Sequence, residues 1–262
     1  MFANTNPRWF KTQTHPINAR QFLLSRNTAS PIRFGRKKMD ENHPAVLEYN
    51  RCFKVNDNFY MEDPLFTEDE CKKICETVLE NRESWYDRED GKFYTFGAAK
   101  YLDCQSVYYH RAIMSNVLLE KNFGDMYVRL YRYLSDKLNM YCTHLSGAAR
   151  PGFHIFEGNH GTRTSPYHID GQFNTLNWPE PFSNPLSFTV ALALPDENSG
   201  MNCIIEGKEQ EMPYKVGNIY LYSGLFQHRI KDTKTISKDK PRITLQGHGG
   251  TLQFSRLVGF YF

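Results

Sequence analysis

The sequence predicts a mainly β domain buttressed on one side by helices, a β-sandwich or jelly roll, and three observations carry that expectation. Aromatic residues make up 15% of the 262 positions, with 19 Phe and 16 Tyr, a composition that favours a β-rich, aromatic-lined interior over a helical bundle. After Gly147, short runs of alternating or β-branched residues are separated by Gly, Pro, Asn and Asp, as in strands joined by turns. Before Gly147, two stretches repeat apolar residues at helical spacing.

At this length one well-filled core accounts for the chain. We expect an extension over residues 1–43 and a single domain over 44–262, with its β core at about 150–262. Residues 1–39 carry eight bases (Arg8, Lys11, Arg20, Arg26, Arg33, Arg36, Lys37, Lys38) and no acid, so a net charge of +3 leaves the rest of the chain at −5. An acid-free, Arg-rich segment containing Ser and Thr reads either as an organelle transit segment or as a basic arm lying over the domain. No basic stripe interleaved with aromatics recurs after Lys38, which argues against a nucleic-acid partner. No apolar run reaches membrane-spanning length, so a soluble protein is expected. Cys52, Cys71, Cys75, Cys104, Cys142 and Cys203 have neither zinc-ribbon spacing nor the density of a secreted scaffold. A reducing compartment follows: the cytoplasm, or an organelle if the extension directs the chain there.

Residues 53–60 alternate enough for a strand. Thr67 and Glu70 then form a capping box that opens a helix, whose apolar stripe is Cys71, Ile74, Cys75 and Val78. Cys71 and Cys75, four apart on it, read as packed thiols. A second helix is expected from near Asp125, with Tyr127, Leu130, Tyr131, Leu134 and Leu138 at helical spacing. Strands are expected at 153–157, 167–170, 187–194, 202–206, 218–222, 227–231, 242–248 and 257–262. Short strands at this spacing, after helices, suit a sandwich or jelly roll.

The chemistry concentrates in three places. His168 and Asp170 stand two apart, which on a strand points an imidazole and a carboxylate to one face. They are two corners of a facial triad, which a third imidazole would complete with open coordination positions opposite; His228 lies 60 residues on. H-x-D alone is unspecific, since roughly 0.4 such pairs arise by chance in a chain of this composition. Arg242 follows His228 by 14 residues and opens a strand on which Arg242, Thr244, Gln246 and His248 share a face. A guanidinium fork suits a buried carboxylate, and Thr244 can add a hydroxyl.

This order of H-x-D, distal His and Arg-x-Thr resembles the 2-oxoglutarate- and iron(II)-dependent oxygenase superfamily over roughly residues 150–262. The resemblance implies a double-stranded β-helix, the cupin-like jelly roll, with the N-terminal helices packed on one sheet. It implies that His168, Asp170 and His228 bind Fe(II), that Arg242 with Thr244 holds 2-oxoglutarate, and that O2 is consumed. Radical halogenases of this type carry a small residue in place of the carboxylate, so Asp170 speaks against halogenation. The expected activity is oxidation of a C–H bond of a small, amino-acid-like or carboxylate-bearing metabolite, with release of succinate and CO2. Hydroxylation and kainoid-synthase-like oxidative cyclisation or desaturation use the same triad.

Plainer readings stand beside these. His168 and Asp170 also fit a metal-free hydrogen-bonded pair, and Arg242 a structural salt bridge. His154, His160 and His248 read as core histidines or as groups behind the ligands. Arg163, in the polar loop before the triad, and Arg256, in the last connection, each read as a contact for an anionic substrate or as a solvated surface base, and Arg163 is the one substrate contact singled out. Tyr101, Tyr108, Tyr109 and His110 form either a pocket wall or a packed cluster, and Asn174 and Trp178 suit a lid. The alternative functions are a protein or peptidyl-residue hydroxylase and a non-catalytic jelly-roll binding protein.

Overall fold

The computed structural model describes residues 59–89, 91–158, 166–176, 178, 182–205, 207–231, 236–252 and 257–262. The basic extension, most of the 53–60 strand, Cys52, His160, Arg163 and Arg256 lie outside the described residues.

The helices before the β core follow the sequence signals unevenly. After β1 (Tyr60–Pro64), helix α1 (Glu68–Glu80) starts at the expected capping box. The Glu70 N–H donates to Thr67 Oγ1 at 3.3 Å and the Thr67 N–H donates to Glu70 Oε2 at 2.8 Å. Two helix-end donors are thereby satisfied, a device worth about 1 kcal/mol. Cys71, Cys75 and Val78 are buried, and the helix packs on β6. Two short strands follow, β2 (Tyr86–Asp87) and β3 (Phe93–Phe96). Helix α2 (Gln105–Leu138) begins twenty residues before the expected start near Asp125. Its first half exposes Val107, Ile113, Met114 and Val117, so it lacks a clean apolar stripe. At Phe123 the backbone leaves helical geometry (φ −132°, ψ 18°), and only the half beyond this kink keeps the periodicity that the sequence displays.

The β core contains two sheets. The remaining strands are β4 (Tyr141–His144), β5 (Gly152–Phe156), β6 (Phe182–Ala193), β7 (Gly200–Ile205), β8 (Lys208–Pro213), β9 (Asn218–Ser223), β10 (Gln227–Ile230), β11 (Arg242–Leu252) and β12 (Leu257–Tyr261). The large sheet runs β1-β9-β6-β11-β5-β3-β2, with β12 continuing along β11 and β4 pairing parallel to β12. The small sheet is β10-β7-β8. Phe153, Ile155, Phe188, Val190, Ile243 and Leu245 are buried in the main core with the inner faces of both helices, while Met201, Tyr214, Tyr222 and Phe226 form a second cluster joining the sheets. This is the mainly antiparallel jelly roll with flanking helices that the sequence predicts. Strand β11 is squeezed on its core face: a Cβ on Gly247 would lie 2.5 Å from Phe188 Cε1.

One expected strand is absent. Residues 167–170 form no strand; His168 makes a single antiparallel bridge to His228, with N–H to carbonyl distances of 3.0 Å in both directions. Asp170 departs from extended geometry (φ −85°, ψ 71°), its N–H goes to the Gly224 carbonyl at 2.8 Å, and the chain coils into a 3-10 turn over Gly171–Thr175. The Asp-Gly step turns the backbone away before a ladder can form. Strands β2, β3, β4 and β8 were not foreseen; β8 is half charged and mostly exposed, an edge strand without apolar alternation.

Candidate active site

His168 and His228 face each other across their bridge, with ring centroids 4.6 Å apart. His168 Nδ1 lies 3.0 Å from the Pro166 carbonyl and His228 Nδ1 2.8 Å from the Phe226 carbonyl. A carbonyl oxygen can only accept, so each Nδ1 carries a proton, and in the neutral ring Nε2 is the nitrogen that keeps its lone pair. That is how metal-binding imidazoles are oriented and fixed in one tautomer. Asp170 completes the group: one ligand atom from each of the three residues lies within 4.8 Å of the others. His228 Nε2 is 3.7 Å from Asp170 Oδ2. Strand alternation does not produce this convergence. The His168–His228 bridge and the anchoring of Asp170 to Gly224 do.

Asp170 is 4% exposed. Burial opposes its ionisation, yet His248, His228 and the Ser187 hydroxyl hold the carboxyl well below the usual carboxylate range. Ser187 donates to Oδ2 at 2.6 Å, and His248 Nδ1 stands 3.0 Å from the same hydroxyl. Burial lowers the pKa of His228 against the pull of Asp170, which keeps the imidazole neutral and ligating.

Arg242 opens β11 and is 1% exposed. Its guanidinium lies 5.6 Å from the Phe156 ring centroid and 5.7 Å from that of Tyr214. Nε and Nη1 have no hydrogen-bond partner among the described residues, and no described carboxylate pairs with the group. A buried, unpaired guanidinium is costly, and an anionic ligand removes the cost. Thr244 is fully buried and its Oγ1 has no partner among the described residues, but it is not among the residues lining the cavity.

The triad and Arg242 line one cavity of about 540 Å³ between the sheets, a size typical of small-molecule sites. Phe93 and Phe156, stacked at 4.5 Å, supply an aromatic wall. Tyr101 enters the cavity from the loop before α2, and its hydroxyl is hydrogen-bonded to His154 Nε2. Asp103 fixes that loop. Its carboxylate accepts from Arg88 at 2.6 and 3.0 Å, from Arg111 and from the Ala99 N–H at 3.0 Å.

His168, Asp170, His228 and Arg242 therefore come together, and His154, His248, Gln246 and Tyr101 join them. Tyr108 is instead a core residue that accepts the Ala149 N–H, Tyr109 packs on it, and His110 is exposed. Asn174 is exposed and Trp178 packs beside Tyr261 and Leu252, so neither lines the cavity. Ser187 was missed, since a serine starting a β-branched run carries no sequence signal of its role. Glu89, Tyr214 and Tyr222 also went unremarked among the lining residues.

No family model and no curated protein matches the chain. Solved structures do. An N-substituted L-amino acid dioxygenase from Burkholderia ambifaria AMMD superposes with a TM-score of 0.50 at 14% identity, covering 83% of this chain and 89% of that one. A 2OG-Fe(II) oxygenase family oxidoreductase from Burkholderia pseudomallei gives 0.43 at 13% identity over 74% and 91%. A Pseudomonas putida prolyl-4-hydroxylase gives 0.38 at 10% over 73% and 91%. At these identities the likeness speaks for the fold alone, and the first structure carries it. The chain has the double-stranded β-helix fold of the 2-oxoglutarate- and iron(II)-dependent oxygenases.

Proposed function

We propose that this protein is an iron(II)- and 2-oxoglutarate-dependent oxygenase that oxidises a C–H bond of a small molecule. One observation carries the reading: two imidazoles with Nδ1 held by backbone carbonyls and a buried carboxylate converge in the same cavity as a buried guanidinium that has no counter-charge among the described residues. The donor set fits iron(II), as two neutral histidines and one carboxylate leave coordination positions open. The orphaned Arg242 fits the distal carboxylate of an oxoacid.

Bound iron would supply the redox chemistry that couples decarboxylation of oxoglutarate to substrate oxidation. The chain's own groups do the rest. His168 and His228 are held in the ligating tautomer by backbone carbonyls, Asp170 is kept ionised, and Arg242 orients the co-substrate. The aromatic wall excludes water and fixes which C–H bond is presented. Hydroxylation consumes one O2 and one oxoglutarate and yields alcohol, succinate and CO2. Ring closure or desaturation removes two hydrogens from the substrate and yields water.

Succinate release, followed across a panel of alcohols, amines and amino acids with iron(II), oxoglutarate and air, tests the reading. Substrate-stimulated succinate with a product 16 Da heavier or 2 Da lighter supports it. Oxoglutarate left intact under every condition, with metal still bound, favours a binding protein on the same fold.

A further inference from the structure

The cavity wall beside the triad has its own polarity. Arg242 is the one Lys or Arg among the described lining residues. Once the oxoacid engages that guanidinium, no described cation remains to meet a substrate carboxylate; the expected contact, Arg163, lies outside the described residues. The groups facing the remaining space include two imidazoles, His154 and His248, and the side chain of Glu89.

Hydrogen-bond bookkeeping fixes what His248 offers. Asp170, when ionised, can only accept, so the single Ser187 proton points to Asp170 Oδ2 at 2.6 Å. The serine oxygen then presents lone pairs to His248 Nδ1 at 3.0 Å, and Nδ1 must be the protonated nitrogen. In the neutral ring Nε2 is left as a bare acceptor. That Nε2 is buried and has no partner among the described residues, and its ring lines the cavity. The Tyr101 ring stands edge-on to it at 6.0 Å. A buried acceptor without a donor costs roughly 1–3 kcal/mol, a penalty that a ligand hydroxyl or amine removes. Nδ1 of the same ring is 3.5 Å from Asp170 Oδ2, so a group held by His248 is anchored beside the triad. Phe93, Phe156, Met201 and Ile230 supply apolar surface for the rest of such a molecule.

We infer that His248 determines substrate class: its Nε2 accepts a hydrogen bond from a hydroxyl or amino group, so that the substrate presents an alcohol or amine to this wall and not a carboxylate. The inference rests on the oxygenase reading, because it gives Arg242 to the oxoacid.

The test uses the full chain loaded anaerobically with iron(II) and oxoglutarate and three probes of one skeleton: cyclohexylmethanol, cyclohexylmethylamine and cyclohexanecarboxylate. Binding is followed by ligand-observed NMR. We expect the alcohol and the amine to bind at least tenfold more tightly than the acid. His248→Asn keeps a donor near the Nδ1 position for Ser187 and removes the acceptor; compared at equal iron and oxoglutarate occupancy, measured for each variant, it should lose the preference. His248→Gln restores an acceptor near the Nε2 position and should recover most of it. Tightest binding of the carboxylate would mean that Nε2 carries a proton, and would overturn the inference. So would binding of none of the three, or an unchanged preference in His248→Asn. Failure of the unaltered protein to take up iron and oxoglutarate would instead contradict the oxygenase reading, and this inference with it.

Discussion

The hydroxyl of Ser187, on β6, donates to Oδ2 of Asp170 across 2.6 Å and ties the carboxylate of the triad to the large sheet. Ser187 is fully buried, so no water substitutes for this contact. Groups behind a metal ligand typically contribute 10–100-fold to metal affinity. Ser187→Ala should weaken iron(II) binding by about tenfold or more with little change in Tm of the metal-free protein. Competition with a chromogenic chelator measures it; unchanged affinity would show that Asp170 needs no support from β6.

Arg242 should reveal a conflict between stability and function. In the ligand-free protein its guanidinium is buried near two aromatic rings with no counter-charge among the described residues. Arg242→Met keeps the volume and removes the charge, so the ligand-free variant should be more stable by about 1 kcal/mol or more while oxoglutarate no longer binds. Urea melts with and without oxoglutarate check both halves. The unaltered protein should gain about 2.7 kcal/mol at an oxoglutarate concentration one hundred times its Kd, and the variant nothing.

The loop that carries Tyr101 depends on Asp103. Burial raises the pKa of this carboxyl, but Arg88 and Arg111 outweigh burial and hold it below the ordinary value. A group with a depressed folded pKa stabilises the protein above the unfolded value, near 4, and loses that contribution as pH falls through the folded one. Asp103→Asn should cost about 2 kcal/mol at pH 7, less than a fully buried pair because Arg111 is partly in solvent. The gap between variant and parent should narrow as pH falls below about 4; denaturant midpoints at pH 7, 5 and 3 follow it.

Strand β11 tolerates no side chain at Gly247, where a Cβ would meet the buried Phe188 ring at 2.5 Å. Gly247→Ala should destabilise the fold by about 1–3 kcal/mol, seen as a lower Tm. A Tm equal to that of the parent would show that the Phe188 ring can move aside.

The parts of the site that were legible in the sequence are those whose chemistry is unusual for a β domain. His168, Asp170, His228 and Arg242 stand out because imidazole, carboxylate and guanidinium are expensive to bury without purpose. The reason His168 and Asp170 converge was not legible. Alternation along a strand suggested it, whereas the His168–His228 bridge and the Asp170–Gly224 hydrogen bond achieve it, and both depend on residues more than fifty positions away. Ser187 and Asp103 act through tertiary contacts, to Asp170 and His248 and to Arg88 and Arg111, and look ordinary in the chain. In the fold, α1 was readable to its cap because capping is local. The first half of α2 was hidden by exposed Ile113, Met114 and Val117, which break the amphipathic pattern. Strand β8 was hidden because an exposed edge needs no apolar face.

The central claim is that His168, Asp170 and His228 hold one iron(II) with oxoglutarate beside it. Anaerobic calorimetric titration of the protein with iron(II) in the presence of oxoglutarate tests it most directly. We expect one iron per chain, tighter binding with oxoglutarate than without, and no saturable binding in Asp170→Ala. Equal iron binding by that variant, or none by the unaltered protein, would contradict the account.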